Sequence, residues 1–352
     1  MKKALALLLA LTMVFALVAC GKTEAPAEKP ADAPADAPAE APVDDKVYEL
    51  SLGHIQNPGH NEANAYDAFA ELLAEKSGGR IKLTVYPSCQ LGTDREMIEQ
   101  CAQGTLDICA SDGGGFATSL GIPELGVFNM PFLYDNLEAQ ERLINEIMVS
   151  ESANMMADSP VMPIMCYTNG IRHALLINNP IETLEDIKGL KFRVPEIAIY
   201  VDTWTALGAN ATTTPWSEVY TALSQGVVEA CEADAVGFVN TNLQEVTNYM
   251  SETGHMGGYH ISVINRDSFN KLPADLQEIF LECCKENQAA QIASRAADDA
   301  VAYEALEAAG VKINSVSYEE RMRMVNACAD IYQEYRDMGL GDLIDRMLEL
   351  SK

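Results

Sequence analysis

The chain has 352 residues, 48% of them hydrophobic, and its 52 acidic side chains outnumber 24 basic ones for a formal charge of −28. A surface this acidic argues against nucleic acid, or direct adhesion to anionic lipid, as the main partner. It does not exclude a small anion, because screening confines distant charges to about 8 Å at physiological salt while a few aimed donors act locally.

The chain starts MKKALALLLALTMVFALVAC. Two lysines, a short apolar run and small residues before the break predict a secretory signal over residues 1–19, too short and wrongly flanked to be a spanning helix. Leu17-Val18-Ala19-Cys20 reads as a lipobox. The mature protein is therefore expected to begin at a lipid-modified Cys20 and to be held at the extracytoplasmic side of the cell membrane, periplasmic or outer. Residues 20–45 are Ala, Pro and acid without apolar periodicity, so they read as a tether that cannot bury enough surface to fold. At ~3.1 Å per residue in extended polyproline geometry, it reaches up to ~75 Å. Folded structure is expected from Lys46, and the remaining residues suffice for one large or two ordinary domains.

Elements then alternate. Val47 to His54 reads as a strand, and Ala65, Phe69, Leu72 and Leu73 recur at helical spacing up to Gly78-Gly79. Ile81, Leu83 and Val85 alternate as a strand, and Thr93 to Gly104 is a helix opened by a capping box and stopped by glycine. Leu106 to Ala110 reads as another strand. Gly113-Gly114-Gly115 is expected to be a loop, since no GK[ST] or dinucleotide pattern surrounds it. Further on come a strand at Val161 to Tyr167, a helix from Thr183, a strand through Arg193, helices at Ile197 to Leu207 and Trp216 to Gln225, and a strand at Val227 to Cys231. Alternating βα units predict mostly parallel sheets with helices on both faces, and ligands bound beyond the carboxyl ends of the strands. From Pro273 to Gly310 no residue breaks an Ala-rich helical pattern, long enough to bridge two domains.

The stretch GLKFRVPE, residues 189–196, places Phe192 and Val194 on one strand face and Lys191 and Arg193 on the other. By residue type alone Arg193 is a solvated edge charge; its place at a strand end suggests a ligand contact instead. Besides Cys20, the cysteines are Cys89, Cys101, Cys109, Cys166, Cys231, Cys283, Cys284 and Cys328. Without CxxC pairs, and mostly within apolar segments, they fit buried free thiols, although an exported protein can also form disulfides. The histidines lack i,i+4 metal-ligand spacing. Neither GxSxG nor HExxH is present, so a surface hydrolase is disfavoured.

Four stretches, YPSCQLGTDREM (86–97), NGIRHALLINNPI (169–181), DIKGLKFRVPE (186–196) and TPWSEVYTALSQGVVEA (214–230), together resemble the solute-binding proteins of tripartite ATP-independent periplasmic (TRAP) transporters, the dicarboxylate-binding, DctP-like family in a lipoprotein form. The resemblance spans residues 47–320. It implies an α/β, two-domain clam shell of the type II-like periplasmic-binding-protein kind, with crossing hinge strands and a long bridging helix. Domain I would comprise 46–169 plus 259–298, and domain II 170–258 plus 299–352. It implies a monomer that is not an enzyme, needs no cofactor or metal, captures a carboxylate-containing organic acid and hands it to small and large membrane subunits. A ligand-sensing lipoprotein would share the same binding residues.

Carried across, Arg193 resembles the arginine that pairs with the ligand carboxylate, Arg172 a second arginine nearby, and Trp216 an aromatic that packs on the ligand. Asp112 matches a polar contact from the other domain, or else a helix cap, and His54 matches more loosely. Glu232 and Cys231 complete the expected ligand set. One departure stands out. Where the family usually continues Asp-Gly-Gln-Glu-Asn-Pro, this chain has Glu229-Ala230-Cys231-Glu232-Ala233-Asp234. The Asn amide is replaced at Ala233, so the ligand is expected to differ from that of relatives and to be bulkier or less polar.

Overall fold

The computed structural model describes residues 46–351. The signal segment, Cys20 and the tether lie outside the described residues. One mixed sheet carries nine strands: β1 (Tyr48–Gly53), β2 (Ile81–Tyr86), β3 (Ile108–Asp112), β4 (Val161–Leu176), β5 (Lys191–Val194), β6 (Asn210–Thr213), β7 (Ala230–Ala233), β8 (Tyr249–Asn265) and β9 (Lys312–Ser315). Their order is β2-β1-β3-β8-β4-β7-β5-β6, with β9 beside β8.

The two ends of this sheet are parallel, as βα alternation requires: β1 with β2 and β3, β5 with β6 and β7. The centre is not. β8 runs antiparallel to both β3 and β4, and β4 antiparallel to β7. The expectation of mostly parallel sheets is corrected at these two long strands, which join the parallel ends. β4 extends to Leu176, well past the expected end at Tyr167, and β8 gave no strand signal at all. Both are buried on both faces, and their register is interrupted at Pro163/Met165, Thr168/Gly170 and Arg172/Ala174, so no clean period of two survives.

Smaller corrections move functional residues. β3 begins and ends two residues later than expected, which puts Asp112 at its carboxyl end, and β7 is displaced by two to three residues, which brings Glu232 and Ala233 into it. The helix expected from Thr183 is a single 3₁₀ turn, Leu184–Ile187, and that expected at Trp216 begins with a 3₁₀ turn before Val219–Ser224. Gly113-Gly114-Gly115 is no loop; it opens α3 (Gly113–Leu120). The glycines serve close approach: a Cβ on Gly113 would lie 1.9 Å from the Tyr259 hydroxyl, and one on Gly114 2.6 Å from Ile197.

Helices α1 (Asn61–Lys76) and α2 (Asp94–Gln103) cover the β1–β3 end, and α2 is opened by the expected Thr93/Glu96 capping box. The Ala274–Ala308 helix, 35 residues long, packs against both halves of the fold. Its first half packs Phe280 against Phe69 of α1, and Asn287 donates to the Ala65 carbonyl; its second half buries Leu306 with Leu175, Phe238 and Met250. All eight cysteines from Cys89 on are free, and all but Cys89 are buried.

Candidate functional site

The carboxyl ends of β3 and β5 face one another across a cleft of about 910 Å³, counted out to its open mouth. Arg193, one residue before the end of β5, lines it and is only 2% exposed. It is therefore not a solvated edge charge. Phe192 turns away to stack on Trp204 with ring centroids 3.5 Å apart, which fixes the strand's other face inward. Arg193 Nε and Nη2 donate to the Thr214 carbonyl at 2.8 and 2.5 Å, and the guanidinium lies 5.5 Å from the ring centre of Trp216, which also lines the cleft. Among the described residues Arg193 has no carboxylate within ion-pair distance. Burial pulls its pKa down to about 10, so it stays cationic at neutral pH.

Arg172, on β4, differs. It lines the same cleft, but its Nε and Nη2 are bonded to the carboxylate of Glu232, which is fully buried. His255 Nε2 lies 3.6 Å from the same carboxylate. Burial works to raise the Glu232 pKa, yet Arg172 and His255 hold it at about 2. Arg172 is thus already neutralised by the protein, and Glu232 acts behind the wall by holding Arg172.

Asp112 is the helix cap that the sequence offered as the alternative to a ligand contact, and it also lines the cleft. It caps α3 through Gly114 N at 2.8 Å and lines the cleft, where Tyr200 Oη donates to its Oδ2 at 2.8 Å and Asn129 Nδ2 at 3.2 Å. Both its oxygens are occupied. Asp94, the first residue of α2, has only one occupied: Oδ2 accepts from the Ser111 hydroxyl at 2.6 Å, and burial lifts its pKa to about 6. His260 on β8 lines the cleft with Nδ1 3.0 Å from Glu62 Oε2. Burial opposes its charge, but Glu62, Asp112 and Asp94 raise its pKa to about 9.

His54 lies beneath the floor rather than in it, its ring 4.9 Å from that of Tyr66; its neighbours Ile55 and Gln56 line the cleft. Cys231 is wholly buried in β7, its thiol pushed up to about 12 by burial, and is not among the lining residues. Ala233 is buried likewise, and the polar group at this corner is Asp234, which lines the cleft and is paired with the buried Arg295 at 2.8 Å. Tyr200, His260, Asn169, Gln56 and Asp234 are lining residues that sequence reasoning did not single out. His260 sits on the strand that had no periodic signal, and Tyr200 reads as one more apolar residue of a helical stripe. Hydrogen bonds between the two walls at the cleft include Tyr200 to Asp112, Ala198 N to Thr118 Oγ1 at 3.2 Å, and Asn240 Nδ2 to the Pro58 carbonyl at 3.4 Å.

Residues 52–337 match the bacterial extracellular solute-binding proteins, family 7, DctP. The chain belongs to this family. Among relatives, a solute-binding protein of Roseobacter denitrificans is 29% identical over 240 residues, 68% of this chain and 73% of its own. The sialic acid-binding periplasmic protein SiaP of Vibrio cholerae is 26% identical over 84% of this chain and 90% of its own. An uncharacterized protein of Sinorhizobium fredii is 32% identical, but the match spans only 42% of that protein. Among solved structures, a TRAP periplasmic solute-binding protein of Roseobacter denitrificans with bound β-D-glucuronate superposes with a TM-score of 0.80 at 28% identity, covering 86% of this chain and 98% of that one. Another from Chromohalobacter salexigens, with bound D-glucuronate, gives 0.81 at 25% identity, covering 86% and 99%. The α/β binding-protein fold is shared with these structures.

Proposed function

We propose that this protein captures a carboxylate-containing organic acid outside the cytoplasm and delivers it to TRAP membrane subunits, anchored to the membrane by lipid on Cys20. The observation that carries the reading is Arg193: a buried cation in a cleft, held in place by a carbonyl and neutralised by no carboxylate among the described residues. A guanidinium offers paired donors matched to a carboxylate, and a lone buried charge gains most when its counter-ion arrives. Trp216 supplies an apolar face beside it, and Arg172, already paired with Glu232, leaves Arg193 as the cation open to the ligand. The family and the glucuronate bound to two similar structures support an organic acid as the ligand. The two domains would divide near Asn169/Gly170 and Gly258/Tyr259, a division supported by the irregular register of β4 there.

Calorimetry with D-glucuronate as the probe tests this reading. Removing one partner of a buried, hydrogen-bonded charge pair costs about 2–5 kcal/mol, or roughly 30-fold to several thousandfold in Kd. Arg193→Ala should show that loss with its circular dichroism unchanged. Arg193→Lys keeps the charge without the planar fork and should also bind clearly more weakly. If an acid binds wild type and Arg193→Ala within about threefold, Arg193 is not the anchor.

A further inference from the structure

The Ala274–Ala308 helix holds the crossing strand β4 with a stripe of polar side chains. Gln288 Oε1 accepts from Cys166 N at 2.7 Å; Gln291 accepts from Thr168 N at 3.1 Å and donates to the Thr168 carbonyl at 2.8 Å. Arg295 and Asp299 continue the stripe, each one helical turn further on. They lie against Gly170, where a Cβ would come 2.8 Å from Arg295 Nη2 and 3.1 Å from Asp299 Oδ2. The helix therefore grips β4 where its register to β8 breaks, between Thr168 and Gly170.

Arg295 is wholly buried, yet it works through one nitrogen. Nη2 donates to Asp234 Oδ2 at 2.8 Å and to Asp299 Oδ1 at 2.6 Å, while Nε and Nη1 have no acceptor among the described residues. The two carboxylates belong to different cavities. Asp234 lines the cleft that holds Arg193, and Asp299 lines a second cavity of about 840 Å³, counted out to its mouth, with Ile171, His173 and Glu252. Ile171 and His173 alternate with Arg172, so the second cavity lies on the face of β4 turned away from the cleft. Arg295 is among the lining residues of neither.

We propose that Arg295 is a positioning residue for anion capture that acts from outside the cleft: it cancels the charge of Asp234 in the cleft wall, and through Asp299 it makes that cancellation depend on the second cavity. The inference rests on the cleft as the carboxylate site and adds a control point that the ligand does not touch. An ionised carboxylate in the wall repels an incoming anion unless a cation stands behind it. Here one cation stands behind two carboxylates, so a tighter hold on Asp299 leaves Asp234 less compensated, and the reverse. The unused donors at Nε and Nη1 let the guanidinium shift its weight between the two partners, and they account for a buried arginine with only one nitrogen engaged.

Calorimetry with D-glucuronate as the probe tests this, at about pH 8, where a carboxylate without a cation stays ionised. Arg295→Gln should bind about tenfold or more weakly than wild type. The double variant Asp234→Asn/Arg295→Gln removes both charges and keeps a side chain able to cap the Ala235–Asn240 helix, so it should return to within about threefold of wild type. An arginine that only supports the fold would leave the double variant as weak as the single one. Asp299→Asn, in the other cavity, should bind about threefold more tightly in the wild-type background and have no effect in Arg295→Gln. Should Arg295→Gln lose its circular dichroism, Asp234→Asn alone takes its place: with Arg295 left in excess, the probe should bind about threefold tighter or more. The proposal is overturned by a folded Arg295→Gln that binds like wild type, by a double variant no better than Arg295→Gln, or by Asp234→Asn or Asp299→Asn within about twofold of wild type. Those outcomes leave the role of Arg193 intact. A wild type that binds no D-glucuronate overturns the carboxylate reading instead, and this inference with it.

Discussion

His54 and His260 share a buried cluster with Glu62, and the same burial drives their charges in opposite directions. Desolvation takes His54 down to about 4 despite Glu62, while Glu62, Asp112 and Asp94 take His260 up to about 9 against desolvation. A histidine whose folded pKa is raised adds stability that is complete below its unfolded pKa of about 6.5 and is lost as pH rises through the folded value. The stability difference between wild type and His260→Gln, from chemical denaturation at a series of pH values, should therefore shrink between pH 6.5 and about 9. A difference that is flat across that range removes the charged His260–Glu62 pair. Neither histidine's state was legible in the sequence, because it depends on which carboxylates the sheet brings alongside. Arg193 was more legible: alternation in Lys191–Val194 fixed which face it occupies, and the strand end fixed where that face points. The resemblance named His54, whereas Gln56, two residues on, lines the cleft, because the chain leaves β1 at Gly53 and alternation no longer governs side-chain direction.

Elements that are amphipathic or capped were readable, and those that join the two ends of the sheet were not. The capping box at Thr93 and the unbroken run to Gly310 announced their helices because each local signal agrees with the packing. β4 and β8 carry polar residues and glycines at buried positions, since they form the back of the cleft and must change direction within it. Gly170 and Gly254 mark those changes, with φ of +77° and +53° inside long strands. A Cβ on Gly170 would also lie 2.8 Å from Arg295 Nη2, and Arg295 is the buried partner of Asp234. Gly170→Ala forces a left-handed backbone on a residue with a side chain, which costs about 1–3 kcal/mol. Denaturant unfolding should show that loss in the midpoint with the slope unchanged. A midpoint equal to wild type would mean that β4 adjusts freely here, and that Gly170 is no constraint on the bend.

At the scale of the whole molecule the proposed lipid anchor at Cys20 and the cleft would be separate functions of one chain. Cys20→Ala should leave the protein uncleaved or shed, and an unchanged mass and membrane-fraction yield would remove the anchor. Closure is the more demanding question, because Arg193 and Asp112 come from opposite ends of the sheet and must lose water together around a ligand. At the cleft the walls meet through Tyr200–Asp112, Ala198–Thr118 and Asn240–Pro58, and Asp234 is also tied to Arg295 of the long helix. Each is worth about 0.5–1.5 kcal/mol net, or somewhat more to a charged group such as Asp112. A bound anion bridging Arg193 to the opposite wall adds the differential affinity that shifts the population to a closed form. Small-angle scattering should accordingly give a smaller radius of gyration with saturating D-glucuronate than without it. Tyr200→Phe removes one of these bonds and leaves the ring under Arg172, so its unliganded radius should be at least that of wild type and its Kd roughly fivefold weaker, as expected for about 1 kcal/mol. Superimposable scattering curves with and without an acid that calorimetry shows to bind would mean that the cleft takes its ligand without moving.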